Sequence, residues 1–375
     1  MARCERTDGE LREIATRFDI AGDLVDVRPY GSGHINYTYV SRFEAGGAAR
    51  RYIHQRINHE VFREPEKLME NIERVTRHLR SRIKADGGNP DRETLNLIHG
   101  RDGGAFIRGD DGTYWRTYLF IEGARTYDVV EDINHVRNAA GAFGRFQLHI
   151  SDLPGRRLHE TIPDFHNTVR RFENFRRSLD ADPANRAARA KTEVDFVLER
   201  ESTCSVLTDL VAAGRAPERI THNDTKFNNV MIDDATGEGI CVIDLDTVMP
   251  GLPMYDFGDC VRAGANPAAE DERDLSKVRA DMEMFERIAQ GYLDTARHFL
   301  TPVEVEHLAF SARLITFEIG MRFLTDFLDG DVYFKVHREE HNLDRCRTQF
   351  KMVADMEREA DRMEQIVRRY ASMGR

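Results

Sequence analysis

The chain has 375 residues, which at ~150 residues per domain predicts two to three domains or lobes. Lys plus Arg total 54 against 65 Asp plus Glu, a formal net charge of -11, and 32% charged against 41% hydrophobic residues is a soluble globular balance without the basic excess that a nucleic-acid surface needs. No run approaches the ~18 apolar residues of a membrane span, mean hydropathy is -0.55, and the opening MARCERTDGELRE is charged rather than an apolar signal region; the expectation is a cytoplasmic protein with no membrane or nucleic-acid partner.

The first third reads as strands and turns. Asp26 to Tyr30 leads into Gly31-Ser32-Gly33-His34-Ile35-Asn36, then the alternating Tyr37-Thr38-Tyr39-Val40, a Gly46-Gly47 turn and Arg51 to Ile57, which together predict an antiparallel meander. A helix is expected from Pro65 to Ile83, with Met69, Ile72, Thr76, Leu79 and Ile83 on one face. Short strands follow between glycine- and aspartate-rich turns and end in Tyr114 to Ile121. Beyond Gly123 the pattern is mostly helical: Val136 to His149, a long basic stretch from His166 to Arg200, and a C-terminal helix from Phe350 to Tyr370. One β-like island, Arg219 to Val248, interrupts it. The expected fold is therefore α+β, with residues 1–121 as a small antiparallel-sheet lobe and residues 122–375 as a larger, mainly helical lobe.

Five cysteines, Cys4, Cys204, Cys241, Cys260 and Cys346, are scattered and never spaced as C-x-x-C. That spacing indicates neither a disulfide frame nor a zinc site, and Cys241 and Cys260 read as core residues.

The sharpest chemical signal lies in the island: His222-x-Asp224-x-x-x-x-Asn229, with Asp244 on the next apolar strand. Phosphoryl transfer needs a carboxylate to take the proton of an attacking hydroxyl and oxygen ligands for magnesium at the nucleotide phosphates. Asp224 fits the base, Asn229 and Asp244 the metal ligands, and Lys226 a contact to the γ-phosphate. The Asp-to-Asn spacing is that of the protein-kinase catalytic loop. His222 reads as a brace for the loop, Asn228 as turn support, and Asp233 and Asp234 as solvated turn formers. Asp246 shares a strand face with Asp244 and suits metal, substrate or plain hydration equally.

The Gly31 to Asn36 run precedes a strand rather than a helix, so a dinucleotide-binding turn does not fit and a strand-loop-strand cover over phosphates does. Gly31, Ser32, Gly33 and Asn36 are its candidate nucleotide-binding residues, and Arg56 on the following strand is the candidate cation for the α- and β-phosphates. No G-x-x-x-x-G-K-[ST] occurs, which excludes a P-loop enzyme. Near the C-terminus, Phe323, Leu324, Phe327 and Leu328 read as core, while Arg322, Asp326, Tyr333, Asn342, Asp344 and Arg345 read as pocket groups or a solvated helix end.

GSGHINYTYV, RYIHQRIN, IEG, THNDTKFNNVMID, VIDLDTVMPG and YDFGD, in this order, resemble the aminoglycoside phosphotransferase and choline kinase superfamily over nearly the whole chain. That resemblance implies a two-lobed protein-kinase-like fold, ATP as co-substrate and Mg2+ as cofactor. It implies Asp224 as base, Asn229 and Asp244 as metal ligands, and Asp256 of YDFGD as a brace of the catalytic loop. RFLTDFLDGDVYFK and NLDRCRTQ are similar to the members that phosphorylate the anomeric hydroxyl of N-acetylhexosamines, which implies a sugar acceptor contacted by Arg322 and Tyr333, with Asp246 assigned to the substrate side. Two other functions compete: a kinase of the same fold for an amine such as choline or an aminoglycoside, and an inactive nucleotide-binding module. Arg322 speaks against the first and the joint presence of Asp224, Asn229 and Asp244 against the second. The sequence departs from many relatives in carrying Arg56 where they carry Lys, and Glu66, Glu70 and Glu73 are equal candidates to pair with it.

Overall fold

The computed structural model describes residues 7–31, 35–127 and 132–373. In chain order the elements are α1 (Asp8–Thr16), β1 (Asp23–Pro29), β2 (Tyr37–Ala45), β3 (Ala48–Ile57), α2 (Pro65–Ala85), β4 (Leu97–Ile98), β5 (Ile107–Arg108), β6 (Tyr114–Leu119), β7 (Ala124–Arg125), α3 (Ile133–Ile150), α4 (Thr168–Ala181), α5 (Lys191–Leu198), α6 (Val206–Ala212), β8 (Arg219–Thr221), β9 (Val230–Asp233), β10 (Gly239–Val242), β11 (Met249–Gly251), α7 (Pro253–Gly264), α8 (Met282–Ala296), α9 (Pro302–Glu306), α10 (Leu308–Asp329), α11 (His341–Arg358) and α12 (Ala360–Ser372). None of these helices is long and apolar enough to cross a membrane.

The N-terminal region is an antiparallel sheet of order β1-β2-β3-β6-β4, with β5 also on β6. Alternation sets its faces: Tyr39 and Phe43 of β2, Tyr52 of β3 and Trp115 of β6 point into one cluster, which α1 closes with Leu11, Ile14 and Ala15, joined by Phe18 just beyond the helix. α1 was not anticipated. Its start is nonetheless written in the sequence, because Thr7 and Glu10 form a reciprocal capping box. α2 begins with Pro65 in its first turn and buries Leu68, Met69, Ile72, Val75, Thr76, Leu79 and Ile83, the stripe expected of it.

The chain leaves this sheet after β6, and its next strand, β7, pairs with β9 of the β9–β10 hairpin. Helices dominate from there. α3 and α8 cross closely because both are glycine-lined: a Cβ on Gly291 would stand 2.0 Å from the Arg137 carbonyl oxygen, and one on Gly144 2.5 Å from that of Tyr292. α10 is buried on most of its circumference, between α7, α4 and α11. This is the mixed α+β architecture expected from the sequence, an antiparallel sheet followed by a mainly helical part.

Three local expectations change. The basic stretch from His166 breaks between α4 and α5, where Asp182 and Asn185 adopt positive φ around Pro183, a residue that cannot donate to a continuing helix. The run from Phe350 to Tyr370 is two helices, α11 and α12, separated at Glu359. Asp233 does form a turn, accepting from the Ala235 and Thr236 amides, but it is buried and ion-paired to Arg92 at 2.8 Å rather than solvated. Cys204, Cys241, Cys260 and Cys346 are buried free thiols; Cys4 lies outside the described residues.

Candidate active site

β8 delivers the chain to residues 222–229, a loop that returns into β9. Two carboxylates of α7, one turn apart, hold its backbone. Asp256 accepts from the His222 and Asn223 amides at 2.9 and 2.7 Å, and Asp259 accepts from the Thr225 amide at 2.7 Å. Burial raises the pKa of the Asp256 carboxyl, against the His222 and Asn223 amide bonds and the Gln147 side chain, which lower it. Asn223 takes a positive φ of 66°, an unusual backbone state that these bonds and its own side-chain bond to the Thr247 carbonyl over-determine. Gly264 of α7 has no room for a side chain, since a Cβ would sit 1.9 Å from the Phe227 ring of the loop.

His222 is fully buried against Phe143 and Phe146. Its Nδ1 accepts from the Asp224 amide, so its Nε2 carries the proton and donates to the Ile243 carbonyl at 2.9 Å. The histidine therefore spans the loop and the end of β10, the bracing part expected of it. Asp224 is half-buried, with Lys226 Nζ 2.8 Å from Oδ1. Burial opposes ionisation of Asp224, but Lys226, with Arg262, outweighs it and holds its pKa below the ordinary value. Asn229 Nδ2 donates to the Asp224 carbonyl at 2.8 Å and approaches Asp224 Oδ2 at 3.2 Å, which leaves its Oδ1 directed elsewhere. Asp244 follows β10 in a left-handed conformation, φ 58°, and is open to solvent. The surrounding protein mass and the like charges of Asp246 and Asp224 push its pKa up to about 7.

Asp246 has a different position from the one expected. It is 2% exposed, its Oδ1 is ion-paired to Arg116 of β6, and its Oδ2 accepts from Asn36 Nδ2 at 2.6 Å. Both oxygens are taken by protein, so a substrate contact would first have to break a buried ion pair. Asn36 is likewise engaged, since its Oδ1 accepts from the Asn58 amide at 3.0 Å. Arg116, which the sequence reading did not single out, is buried and also bound to Gln55 Oε1 at 2.9 Å. An arginine in the middle of a buried strand, between Trp115 and Thr117, is the signal that would have marked it.

Arg56 lies opposite Tyr37 in the β2–β3 register, its guanidinium carbon 5.3 Å from that ring's centroid. None of the three candidate glutamates meets it. Glu66 binds the Tyr114 hydroxyl, Glu70 binds Arg156 and His159, and Glu73 binds Arg77 and His99. α2 is tied toward the loop instead by Asn71, whose Nδ2 donates to the His159 and Val248 carbonyls. β1 and β2 are antiparallel neighbours with a Tyr30 amide bond to the Thr38 carbonyl beyond them, and Gly31 takes a φ of 74°. Ser32 and Gly33 lie outside the described residues.

The third cluster is partly structural. Asp326 accepts from the Tyr333 and Phe334 amides at 2.7 and 2.9 Å and from Asn342 Nδ2 at 2.8 Å, pinning the segment after α10. Asp344 binds Arg338, and Arg345 donates to the Lys335 carbonyl. Arg322 is different: its guanidinium carbon is 5.6 to 6.0 Å from the rings of Phe165, Phe334 and Tyr333, and among the described residues no carboxylate pairs with it. Tyr333 is 67% exposed. Phe165 precedes His166, whose Nε2 meets the Asn223 carbonyl at 3.0 Å, so the Arg322 cluster borders the loop that carries Asp224.

A model of the aminoglycoside phosphotransferase (APH) type, described as the phosphotransferase enzyme family, matches residues 26–300, the region holding the sheet, the 222–229 loop and α7. The chain belongs to the phosphotransferase enzyme family. Solved structures similar to this phosphotransferase include a choline kinase from Cryptosporidium parvum Iowa II, with a TM-score of 0.57, 14% identity and 97% and 98% of the two chains covered. A microcompartment-associated aminopropanol kinase gives 0.56, 15% identity and 95% and 98% coverage. A spectinomycin phosphotransferase bound to ADP and spectinomycin gives 0.55, 14% identity and 96% and 99% coverage. At such identities these likenesses speak to the fold. The phosphotransferase is thus a small-molecule kinase by family and kinase-like by architecture.

Asp259 is a second residue that the sequence reading passed over. The phosphotransferase uses it as it uses Asp256, and the sign was available: Asp256-Phe257-Gly258-Asp259 puts both carboxylates on one face of a helix at i,i+3.

Proposed function

We propose that this phosphotransferase is an ATP- and magnesium-dependent N-acetylhexosamine 1-kinase of the cytoplasm, converting the anomeric hydroxyl of N-acetylglucosamine or N-acetylgalactosamine to its phosphate ester. On this reading Asp224, kept ionised by Lys226, orients the acceptor hydroxyl and takes its proton. Lys226 meets the transferred phosphoryl group, and Gly31, Ser32, Gly33 and Arg56 cover the nucleotide phosphates.

Asp244 and the Asn229 Oδ1 are the metal ligands. Among the described residues no group of three or more His, Cys, Asp or Glu forms a cage. Two oxygen donors beside a phosphate site suit magnesium, which keeps several waters and takes the rest of its ligands from phosphates. When bound, the ion supplies the positive charge that neutralises the phosphoryl oxygens. The raised pKa of Asp244 fits a carboxylate placed among like charges to await a cation.

The observation that carries the sugar assignment is Arg322. A guanidinium among three aromatic rings, with no carboxylate partner among the described residues, repels an amine acceptor and favours hydroxyl and acetamide oxygens. The test is an acceptor screen with Mg-ATP over N-acetylhexosamines, plain hexoses, choline, aminopropanol and aminoglycosides, with loss of the reducing end as the readout for the anomeric position. Phosphorylation of an amine acceptor in preference to the sugars would overturn the assignment.

A further inference from the structure

His166 lies between α3 and α4 and is 6% exposed. Its Nδ1 is 2.8 Å from Glu318 Oε1 and its Nε2 3.0 Å from the Asn223 carbonyl oxygen. Both partners are acceptors, because Glu318 is a carboxylate whose Oε2 already accepts from the Thr168 hydroxyl at 2.6 Å and a carbonyl oxygen has no proton to give. A neutral imidazole has one N–H; satisfying both contacts requires two. The ring is thus an imidazolium, enclosed by Phe165 and Tyr255 and countered by a carboxylate that is itself fully buried.

The two ends of this bridge matter. Asn223 is the residue before Asp224 and holds the positive φ that turns the loop. Glu318 lies on α10 four residues before Arg322, hence on the same helix face one turn away. We propose that His166 is a positioning residue: as an imidazolium held by Glu318 it fixes the Asn223 carbonyl, sets the aim of Asp224, and registers the base against the helix that carries Arg322. The inference rests on the reading of Asp224 as the base.

The charged groups that face His166 come from three sides. Glu318 is on α10; Asp259 and the Tyr255 hydroxyl are on α7; Arg171 of α4 acts on Glu318. Burial lowers the His166 pKa, but Glu318 and Asp259 outweigh it and the net direction is upward. Removing the Glu318 charge leaves burial unopposed on that side, so the imidazolium is lost at lower pH. A neutral ring keeps a single N–H, and where that hydrogen stays on Nδ1 toward residue 318 the donor to Asn223 is lost on the alkaline side.

The experiment compares Glu318→Gln and His166→Gln with the parent enzyme for kcat, acceptor KM, Mg-ATP affinity and the pH profile of kcat. Expected is a ten-fold or greater loss of kcat in both, with KM and Mg-ATP affinity within about two-fold, and an alkaline limb of kcat that moves to lower pH in Glu318→Gln. The double variant should be no slower than the worse single one, because both remove one unit. Glu318→Asp, which keeps the charge, should restore the parent's pH limb. An unmoved limb with kcat within two-fold of the parent overturns the inference, as does a pH limb that Glu318→Gln and Glu318→Asp share. Should either variant fail to fold, nitrogen NMR of His166 in the parent decides: two protonated ring nitrogens at pH 7.5 support the bridge, and one overturns it. Full turnover by Asp224→Asn would instead refute the base assignment, whatever His166 does.

Discussion

The Arg116–Asp246 pair joins β6 of the sheet to the segment after β10, with side chains 1% and 3% exposed, and its removal has a calculable cost. Arg116→Met keeps the length of the side chain and removes the charge. Asp246 is then buried without a counter-ion, beside Asp244, and it escapes only by taking a proton. At pH 7, holding a carboxyl with an ordinary pKa near 3.9 in its neutral form costs roughly 3 units, or about 4 kcal/mol, which agrees with the ~3–5 kcal/mol typical of breaking one side of a buried pair. The same arithmetic gives about 1.5 kcal/mol at pH 5. The sign follows from linkage: in the variant the folded state holds a proton that the unfolded state lacks, so the deficit is largest at high pH and shrinks as pH falls toward the unfolded value. Urea unfolding of parent and variant at pH 7 and pH 5 measures both figures, and adding Asp246→Asn to the variant should recover most of the loss at pH 7. A deficit below about 1 kcal/mol at pH 7, or one equal at the two pH values, would refute the view that an unpaired Asp246 charge is what Arg116 prevents.

Asp224→Asn should lower kcat by roughly 10²- to 10⁴-fold while Mg-ATP binding, measured by calorimetry, stays near the parent value. Asp244→Ala should abolish magnesium-dependent nucleotide binding. In the parent, that binding should weaken below about pH 7, because the metal needs the ionised carboxylate and Asp244 is held near that value; a flat affinity between pH 6 and 8 would count against Asp244 as ligand. Arg322→Ala should lower kcat/KM for the sugar by about 10-fold or more, the scale of a charged hydrogen bond of ~1.5–3 kcal/mol, with ATP affinity and melting temperature unchanged.

What could be read from the sequence follows how local each signal is. Asp224, Asn229 and Asp244 flank one short hairpin, β9–β10, so spacing alone brings them together. The stripe on α2 and the alternation in β2 and β3 are likewise periods of a few residues. The buried ion pairs are not of this kind. Arg116 and Asp246 are 130 residues apart, and His166 and Glu318 152, so their pairing depends on tertiary register that no short window contains. The candidate partners of Arg56 failed for the same reason: the α2 glutamates bind Tyr114, Arg156 with His159, and Arg77 with His99, and all but Arg77 come from outside the helix. Asp246 shows the limit most directly: strand parity placed it beside Asp244, while the side chain itself is buried against β6.

These pairings divide the labour of the site. The 222–225 backbone is clamped by Asp256 and Asp259, and the segment carrying Tyr333 by Asp326 and Asn342; the two clamps share no residue. The first clamp is buried throughout, whereas the second holds a segment whose Val332 and Tyr333 are 77% and 67% exposed. Substitution in the exposed segment therefore need not cost a buried hydrogen bond, and substitution in the first clamp cannot avoid such a cost. On the proposed reading, acceptor choice is the part of the chemistry that this fold leaves free to vary. On the same reading, the His166–Glu318 bridge joins the helix that carries Arg322 to the loop that carries Asp224.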